Sequence, residues 1–83
     1  MQIEEISKIK DHNDLAEFIQ KIRQELIDNP AGWQNADLPA FLEAMSAWVE
    51  DFEGYCLNTG EPMPTAEAWQ VVAKILCASR IYE

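Results

Sequence analysis

The sequence predicts an all-α protein: a small bundle of three main helices forming a single domain over residues 1–83. Three observations predict this class. First, apolar residues recur at three- and four-residue steps in three segments. Second, residues that cap or end helices separate those segments. Third, no stretch alternates apolar and polar residues as a half-buried strand does. Hydrophobic residues make up 48% of the 83 residues and charged residues 25%. This composition is ordinary for a folded domain and too apolar for a disordered one.

The first main helix is predicted over residues 12–28. Its apolar face consists of Leu15, Phe18, Ile19, Ile22 and Leu26. Asp11 is the predicted N-cap, and Asp14 places a negative charge in the first turn, where it suits the helix dipole. Pro30 ends the helix, because a proline disfavours helical geometry at the residue before it.

The second and longest helix is predicted over residues 38–57. Asp37 is the predicted N-cap, and Pro39 falls in the first turn, where its missing N–H costs nothing. One unbroken apolar stripe follows: Leu38, Phe41, Leu42, Met45, Trp48, Val49, Phe52 and Cys56. The turn-rich residues 58–60 end this helix, since Asn and Gly accept the left-handed conformation that closes helices.

A third helix is predicted over residues 66–80, with Thr65 as its N-cap and Arg80 in the last turn, where a positive charge complements the dipole. Its apolar face is Trp69, Val72, Ala73 and Leu76. Ahead of the first main helix, isoleucines recur every third residue at Ile3, Ile6 and Ile9. This segment is either a short extra helical turn or an extended arm.

Packing the three stripes together gives a predicted core of Phe18, Ile22, Leu26, Leu38, Phe41, Met45, Trp48, Phe52, Trp69, Val72 and Leu76. Trp33, in the connection before the second helix, is interpreted as a lid on this core rather than an exposed contact. Tyr55 and Tyr82 suit a core edge and an interface equally. At this length a single core is marginal, and oligomerisation is a common supplement.

The two cysteines, Cys56 and Cys77, are too few for a disulfide scaffold. With antiparallel helices they would lie on the order of 18 Å apart, too far for a bond that needs Cα atoms within about 7 Å. Both lie on or beside apolar stripes, which predicts buried free thiols. The N-terminus has no apolar stretch of signal-peptide length. We therefore expect a cytoplasmic protein.

The charge is strongly acidic and unevenly distributed. Fifteen acidic and six basic side chains give a formal net charge of −9. Residues 31–67 contain seven acids and no base, so no positive side chain lies between Arg23 and Lys74. This balance excludes nucleic-acid binding by charge neutralisation, and no apolar run approaches the roughly 20 residues that span a membrane.

The second helix concentrates this charge in its last two turns, where carboxylates oppose the dipole at roughly 0.3–1 kcal/mol each. Two interpretations remain: a solvated surface that keeps a small protein soluble, or a docking surface for a basic partner. The candidate protein-binding residues are Glu43, Glu50, Asp51, Glu53 and Tyr55.

Catalytic and metal-binding patterns are sparse. The one histidine, His12, has no nucleophile placed beside it and is expected to be exposed. The cysteines have no histidine between them for a zinc site. Two carboxylate pairs at helical spacing, Glu25 with Asp28 and Glu50 with Glu53, leave a magnesium-dependent hydrolase as a less favoured alternative. No catalytic residue, metal ligand or cofactor is assigned.

Several short segments occur in a specific order. They are Asn29-Pro30 with Trp33 and Asn35, Phe41-Leu42-Glu43-Ala44 with Ala47-Trp48-Val49, Gly54-Tyr55 with Asn58, Gly60 and Pro62, then Trp69 and the terminal Ile81-Tyr82-Glu83. From Asp11 to Glu83 this set resembles a family of small acidic bacterial proteins of unknown function. The resemblance implies a small, mostly helical, intracellular bacterial protein. It implies no activity and no site residue.

The favoured function is that of a non-enzymatic module that binds another protein. One form of it is an inhibitor or immunity-type protein that neutralises a basic partner. The alternative from a different class is a structural homo-oligomer whose apolar residues exceed what three helices bury.

Overall fold

The computed structural model describes residues 3–82, with side chains from Glu5 to Tyr82. All regular structure in this part of the chain is helical. The helices are α1 (Ile3–Ser7), α2 (His12–Asp28), α3 (Leu38–Glu50), α4 (Phe52–Thr59) and α5 (Ala66–Ser79), with a 3₁₀ turn at Pro30–Gly32. The all-α class is therefore confirmed. The segment ahead of α2 contains a short helix, α1, which is the extra helical turn and not the extended arm.

The number of main helices is corrected, because the predicted second helix is divided into α3 and α4. The chain also separates into two compact units, Met1–Ala44 and Met45–Glu83, with the boundary inside α3. The bundle arrangement and the single domain over residues 1–83 stay predictions.

In the first unit, α2 has the predicted bounds and the predicted cap. The Asp11 carboxylate accepts a hydrogen bond from the Asp14 N–H at 2.8 Å, and the Asp14 carboxylate accepts one from the Lys10 N–H at 3.0 Å. This reciprocal pair satisfies two backbone donors, as a capping box does. Asn29, with φ −145° and ψ 69°, is outside the helical region and ends the helix ahead of Pro30.

Trp33 lies in the connection after α2 and is half-buried. Its indole stacks on the Phe41 ring of α3, with ring centroids 6.1 Å apart and planes at 29°. The indole Nε1–H is enclosed and has no hydrogen-bond acceptor. This agrees with the lid interpretation, although Phe41 itself remains partly exposed.

The break between α3 and α4 lies at Asp51, which has φ −90° and ψ 4° instead of helical angles. The Asp51 N–H is shared between the carbonyl oxygens of Ala47 and Trp48, each 3.2 Å away. Asp is a weak helix former, and Gly54, still weaker, follows within one turn. The sequence prediction missed this break because the apolar stripe continues through it.

In the second unit, α4 ends at Gly60, whose φ of 75° is the left-handed closure predicted for residues 58–60. Helix α5 begins after Thr65, as predicted, but the Thr65 hydroxyl makes no capping hydrogen bond. It bonds to the Glu67 carboxylate instead, and that carboxylate also accepts from its own backbone N–H. At the other end, the Arg80 Nε donates to the Cys77 carbonyl at 3.1 Å.

The predicted core is only partly confirmed. Six of its members are half-buried and none is fully buried; the half-buried ones are Phe18, Ile22, Leu26, Met45, Phe52 and Trp69. The others are exposed, namely Leu38, Phe41, Trp48, Val72 and Leu76. Among the described side chains the only buried apolar one is Cys56. The physical reason is that helical periodicity marks a face that favours burial, whereas burial itself requires another element to cover that face.

Both cysteines are free thiols, as predicted. Cys56 is buried, but the expectation of burial is wrong for Cys77, which is exposed on α5. No helix in the described part of the chain is both long enough and apolar enough to cross a membrane.

Candidate protein-binding surface

An aromatic cluster organises the second unit. The Phe52 ring contacts Trp48 at a centroid distance of 5.0 Å, Tyr55 at 5.6 Å and Trp69 at 5.1 Å. Tyr55 also lies 5.3 Å from Trp48. These four rings connect the end of α3, the first turn of α4 and the start of α5, because aromatic side chains gain from edge-on and tilted contacts as well as from burial.

Trp48 is the unusual member of this cluster, because 53% of its surface is exposed although two rings hold it. Its predicted place in the core is therefore wrong. Its neighbour Val49 is also exposed. An exposed indole held by neighbouring rings is the kind of side chain that dominates protein interfaces, since little conformational entropy is lost when a partner covers it.

Most of the predicted acidic residues lie close to Trp48 in the sequence. Glu50, Asp51 and Glu53 are exposed and follow Trp48 within five positions, and Tyr55 is half-buried in the aromatic cluster. Glu43 is also exposed, but it lies on the part of α3 that belongs to the first unit. The structure therefore brings four of the five candidate residues into one unit.

The break at Asp51 changes the electrostatic argument made from the sequence. Asp51 occupies the N-cap position of α4 and Glu53 lies in its first turn. Carboxylates there stabilise a helix through its dipole, so only Glu50 remains at an unfavourable helix end. Local stability thus accounts for part of the acidic charge, and the exposed Trp48 becomes the stronger indication of a binding surface.

Tyr55 and Glu61 are linked beyond the aromatic cluster. Two effects raise the pKa of Tyr55 above 10.0. The larger is a hydrogen bond with the Glu61 carboxylate, and the second is desolvation. The same carboxylate accepts from the Thr59 hydroxyl at 3.0 Å, and that hydroxyl also bonds to the Tyr55 carbonyl at 2.9 Å. Glu61 thereby fixes the loop after α4 against Tyr55. This role of Glu61 was not predicted, because nothing in the spacing of the sequence marks it.

Cys56 lies beside this network, with its Sγ 3.7 Å from the Pro62 carbonyl oxygen. Desolvation, with smaller effects from the charges of Glu61 and Glu53, raises the pKa of the Cys56 thiol. A raised pKa disfavours the reactive thiolate form. The thiol therefore serves packing.

The remaining chemical candidates are divided between the two units. His12 is exposed in the first turn of α2, as predicted. Glu25 and Asp28 belong to the first unit, and Glu50 and Glu53 to the second. Within the described residues, no group of three or more His, Cys, Asp or Glu side chains is arranged to hold a metal ion.

Residues 11–83 match the model of one protein family, which is described as a family of unknown function (DUF7660). This agrees with the uncharacterised family that the sequence resembles and with the extent of that resemblance. No curated protein and no solved structure matches the chain.

Proposed function

The chain belongs to this family of unknown function, and within it we propose that the protein is a non-enzymatic module that binds a basic protein surface. The observation that carries the proposal is the exposed indole of Trp48, held between Phe52 and Tyr55. We call Trp48, Glu50, Asp51, Glu53 and Tyr55 the acidic–aromatic surface. It combines an aromatic anchor with a charged rim, the usual composition of an interface.

The charge distribution supports a basic partner over a neutral one. The stretch of seven acids without a base, residues 31–67, includes the whole acidic–aromatic surface. A positive partner would be attracted at long range and would associate faster, whereas an acidic competitor would be repelled. Glu43 lies in the same stretch and is proposed as a further contact. An inhibitor or immunity-type role is one form of this proposal.

The proposal is tested by affinity capture from native lysate with three forms of the protein. The first is wild type, and the second carries Glu50→Gln, Asp51→Asn and Glu53→Gln. The third is a matched control with Glu5→Gln, Glu17→Gln and Glu25→Gln, which removes the same charge from exposed positions of the first unit. We expect a basic protein that wild type and control retain and the second form loses.

Two further measurements make this test specific. Trp48→Ala should also release the captured protein, because it removes the anchor while leaving every charge in place. Binding of the purified partner should weaken as salt rises, because screening reduces attraction between opposite charges. Equal capture by all three forms, or no basic protein above background, would end the proposal and leave the charge as a solubility feature.

A further inference from the structure

Trp48 and Asp51 lie one turn apart where α3 ends. The Asp51 N–H is shared between the carbonyl oxygens of Ala47 and Trp48, each 3.2 Å away, so this turn has partly 3₁₀ geometry. In a 3₁₀ turn the side chains of residues three apart eclipse each other. The break after α3 therefore places the Asp51 carboxylate and the Trp48 indole on one side of the same turn.

The Asp51 carboxylate is not used by its own helix. Although Asp51 is the N-cap of α4, its side chain makes no capping hydrogen bond, and within the described residues it has no hydrogen bond or ion pair with another group. The caps of the first unit differ, since the Asp11 and Asp37 carboxylates accept a backbone N–H at 2.8 and 2.9 Å. A carboxylate that caps nothing keeps its acceptor sites for donors from outside the chain.

Trp48 differs from the other two tryptophans of the chain. Trp33 and Trp69 are half-buried, whereas 53% of the Trp48 surface is exposed. The Phe52 and Tyr55 rings contact Trp48 at centroid distances of 5.0 and 5.3 Å and contact each other at 5.6 Å. These rings are too close together to enclose a cation between them as an aromatic cage does. The open surface of the indole lies on the outside of the ring cluster.

An open indole beside an unpaired carboxylate suits a planar cation. The π-system of the indole attracts a cation above its face, and the carboxylate attracts the same charge. A guanidinium satisfies both groups at once, because its face stacks on the ring while two N–H groups at its edge donate to the carboxylate. A lysine ammonium is a strongly hydrated point charge, which neither stacks nor donates in this paired geometry.

We propose that Trp48 and Asp51 recognise an arginine side chain of the basic partner. The guanidinium stacks on the Trp48 indole, and the Asp51 carboxylate accepts its paired hydrogen bonds. Glu50 and Glu53 add attraction at longer range without contacting the guanidinium. This inference rests on the proposed function and names the side chain that the acidic–aromatic surface selects.

The test compares two synthetic peptides of equal charge on the purified full chain. One contains three Gly-Arg repeats and the other three Gly-Lys repeats, and both are acetylated and amidated. The indole N–H resonance of Trp48, assigned by its loss in Trp48→Phe, reports binding by nuclear magnetic resonance at low ionic strength. We expect the arginine peptide to bind several-fold more tightly than the lysine peptide and to shift the Trp48 resonance but not that of Trp33.

Two variants assign the preference to Asp51. Asp51→Asn should bind the two peptides with equal affinity, because an amide carries no charge and cannot accept both guanidinium hydrogen bonds. Glu53→Gln is the matched control, since it removes one charge from the same surface. It should weaken both peptides alike and leave the ratio of their affinities unchanged. Circular dichroism checks that each variant keeps its helix content.

The outcomes separate this inference from the proposed function. Equal affinities of wild type for the two peptides, a preference that Asp51→Asn retains, or no shift of the Trp48 resonance with either peptide would overturn the arginine assignment. Capture of a basic protein from lysate would still stand in each of these cases. A failed capture ends the proposed function, whereas the arginine preference is measured on the purified chain alone.

Discussion

The indole of Trp69 on α5 meets the Phe52 ring of α4 edge-on, with ring centroids 5.1 Å apart and planes at 90°. This geometry directs the positive edge of one ring at the negative face of the other. It connects two helices that the chain itself joins only through a loop. We therefore expect the pair to contribute to the stability of the second unit beyond the burial of each ring.

A double-mutant cycle measures that contribution. Phe52→Leu and Trp69→Leu should each destabilise the protein, and the double variant should lose less than their sum. The difference should be about 0.5–1.5 kcal/mol, the range measured for aromatic pairs. Urea unfolding followed by circular dichroism provides the free energies. Strict additivity would show that the rings do not interact.

Two glycines of the second unit should respond in opposite directions to alanine. Gly60 closes α4 at φ 75°, which an L-residue adopts at a cost of roughly 1–2 kcal/mol. Gly54 lies inside α4, and a Cβ added there meets nothing within 4 Å. Gly60→Ala should therefore lower the free energy of unfolding, and Gly54→Ala should raise it by roughly 0.5–1 kcal/mol. Two shifts of the same sign in thermal unfolding would contradict this structure of α4.

The two aspartates at helix N-caps should contribute differently to stability, because only one of them makes a capping hydrogen bond. The Asp37 carboxylate accepts from the Ala40 N–H at 2.9 Å, whereas Asp51 makes no capping hydrogen bond. Asp37→Ala should cost about 1 kcal/mol of unfolding free energy, because an N–H of the first turn loses its acceptor. Asp51→Ala is the control and should cost less in chemical denaturation. An equal loss from both substitutions would mean that the Asp37 hydrogen bond contributes nothing.

Tyr55 should titrate at a pH that depends on Glu61. The carboxylate accepts the phenol's hydrogen bond and repels a phenolate, so it raises the pKa of Tyr55 above 10.0. Glu61→Gln should move the pKa of Tyr55 back down. Ultraviolet absorbance of the phenolate, recorded in a Tyr82→Phe background, isolates this titration.

The raised pKa of Tyr55 also predicts a direction for stability. The neutral phenol is favoured in the folded state, so its contribution is complete below pH 10.0 and is lost as the pH rises through the folded-state pKa. Glu61→Gln should flatten this alkaline loss. A variant whose Tyr55 titrates at the same pH as in wild type would show that Glu61 is not its partner.

The stability that Glu67 contributes should depend on pH in the opposite direction, and at acid pH. Hydrogen bonds from its own N–H and from Thr65 lower the pKa of Glu67 below 4.5. Its contribution to stability is present above pH 4.5 and is lost as the pH falls through the folded-state pKa. Glu67→Gln should reduce the acid sensitivity of unfolding. Glu17→Gln controls for the removal of one negative charge.

Local features were the most predictable part of this protein. The bounds of α2, the caps Asp11 and Asp37 and the left-handed closure at Gly60 all depend on residues within one turn of one another. The break at Asp51 was not predicted, because the apolar stripe runs through it and the weak helix propensities of Asp51 and Gly54 alone do not fix where a helix divides. Its consequence is that Asp51 and Glu53 begin a helix instead of ending one.

The candidate surface was also predictable only in part. The acidic residues were identifiable from charge alone, since no base lies among them. Trp48 was assigned to the core because its spacing fits the apolar stripe, yet more than half of its surface is exposed.

The sequence by itself determined that the chain is helical and acidic, where most of its helices begin and end, and which sides of them are apolar. These properties follow from backbone preferences, capping and periodicity, which act over a few neighbouring residues. Only the tertiary structure decided that Cys56 is buried while Trp48, Val71 and Ile75 are exposed. Exposure depends on which neighbouring groups cover a face, and the spacing of apolar residues within one helix does not specify them.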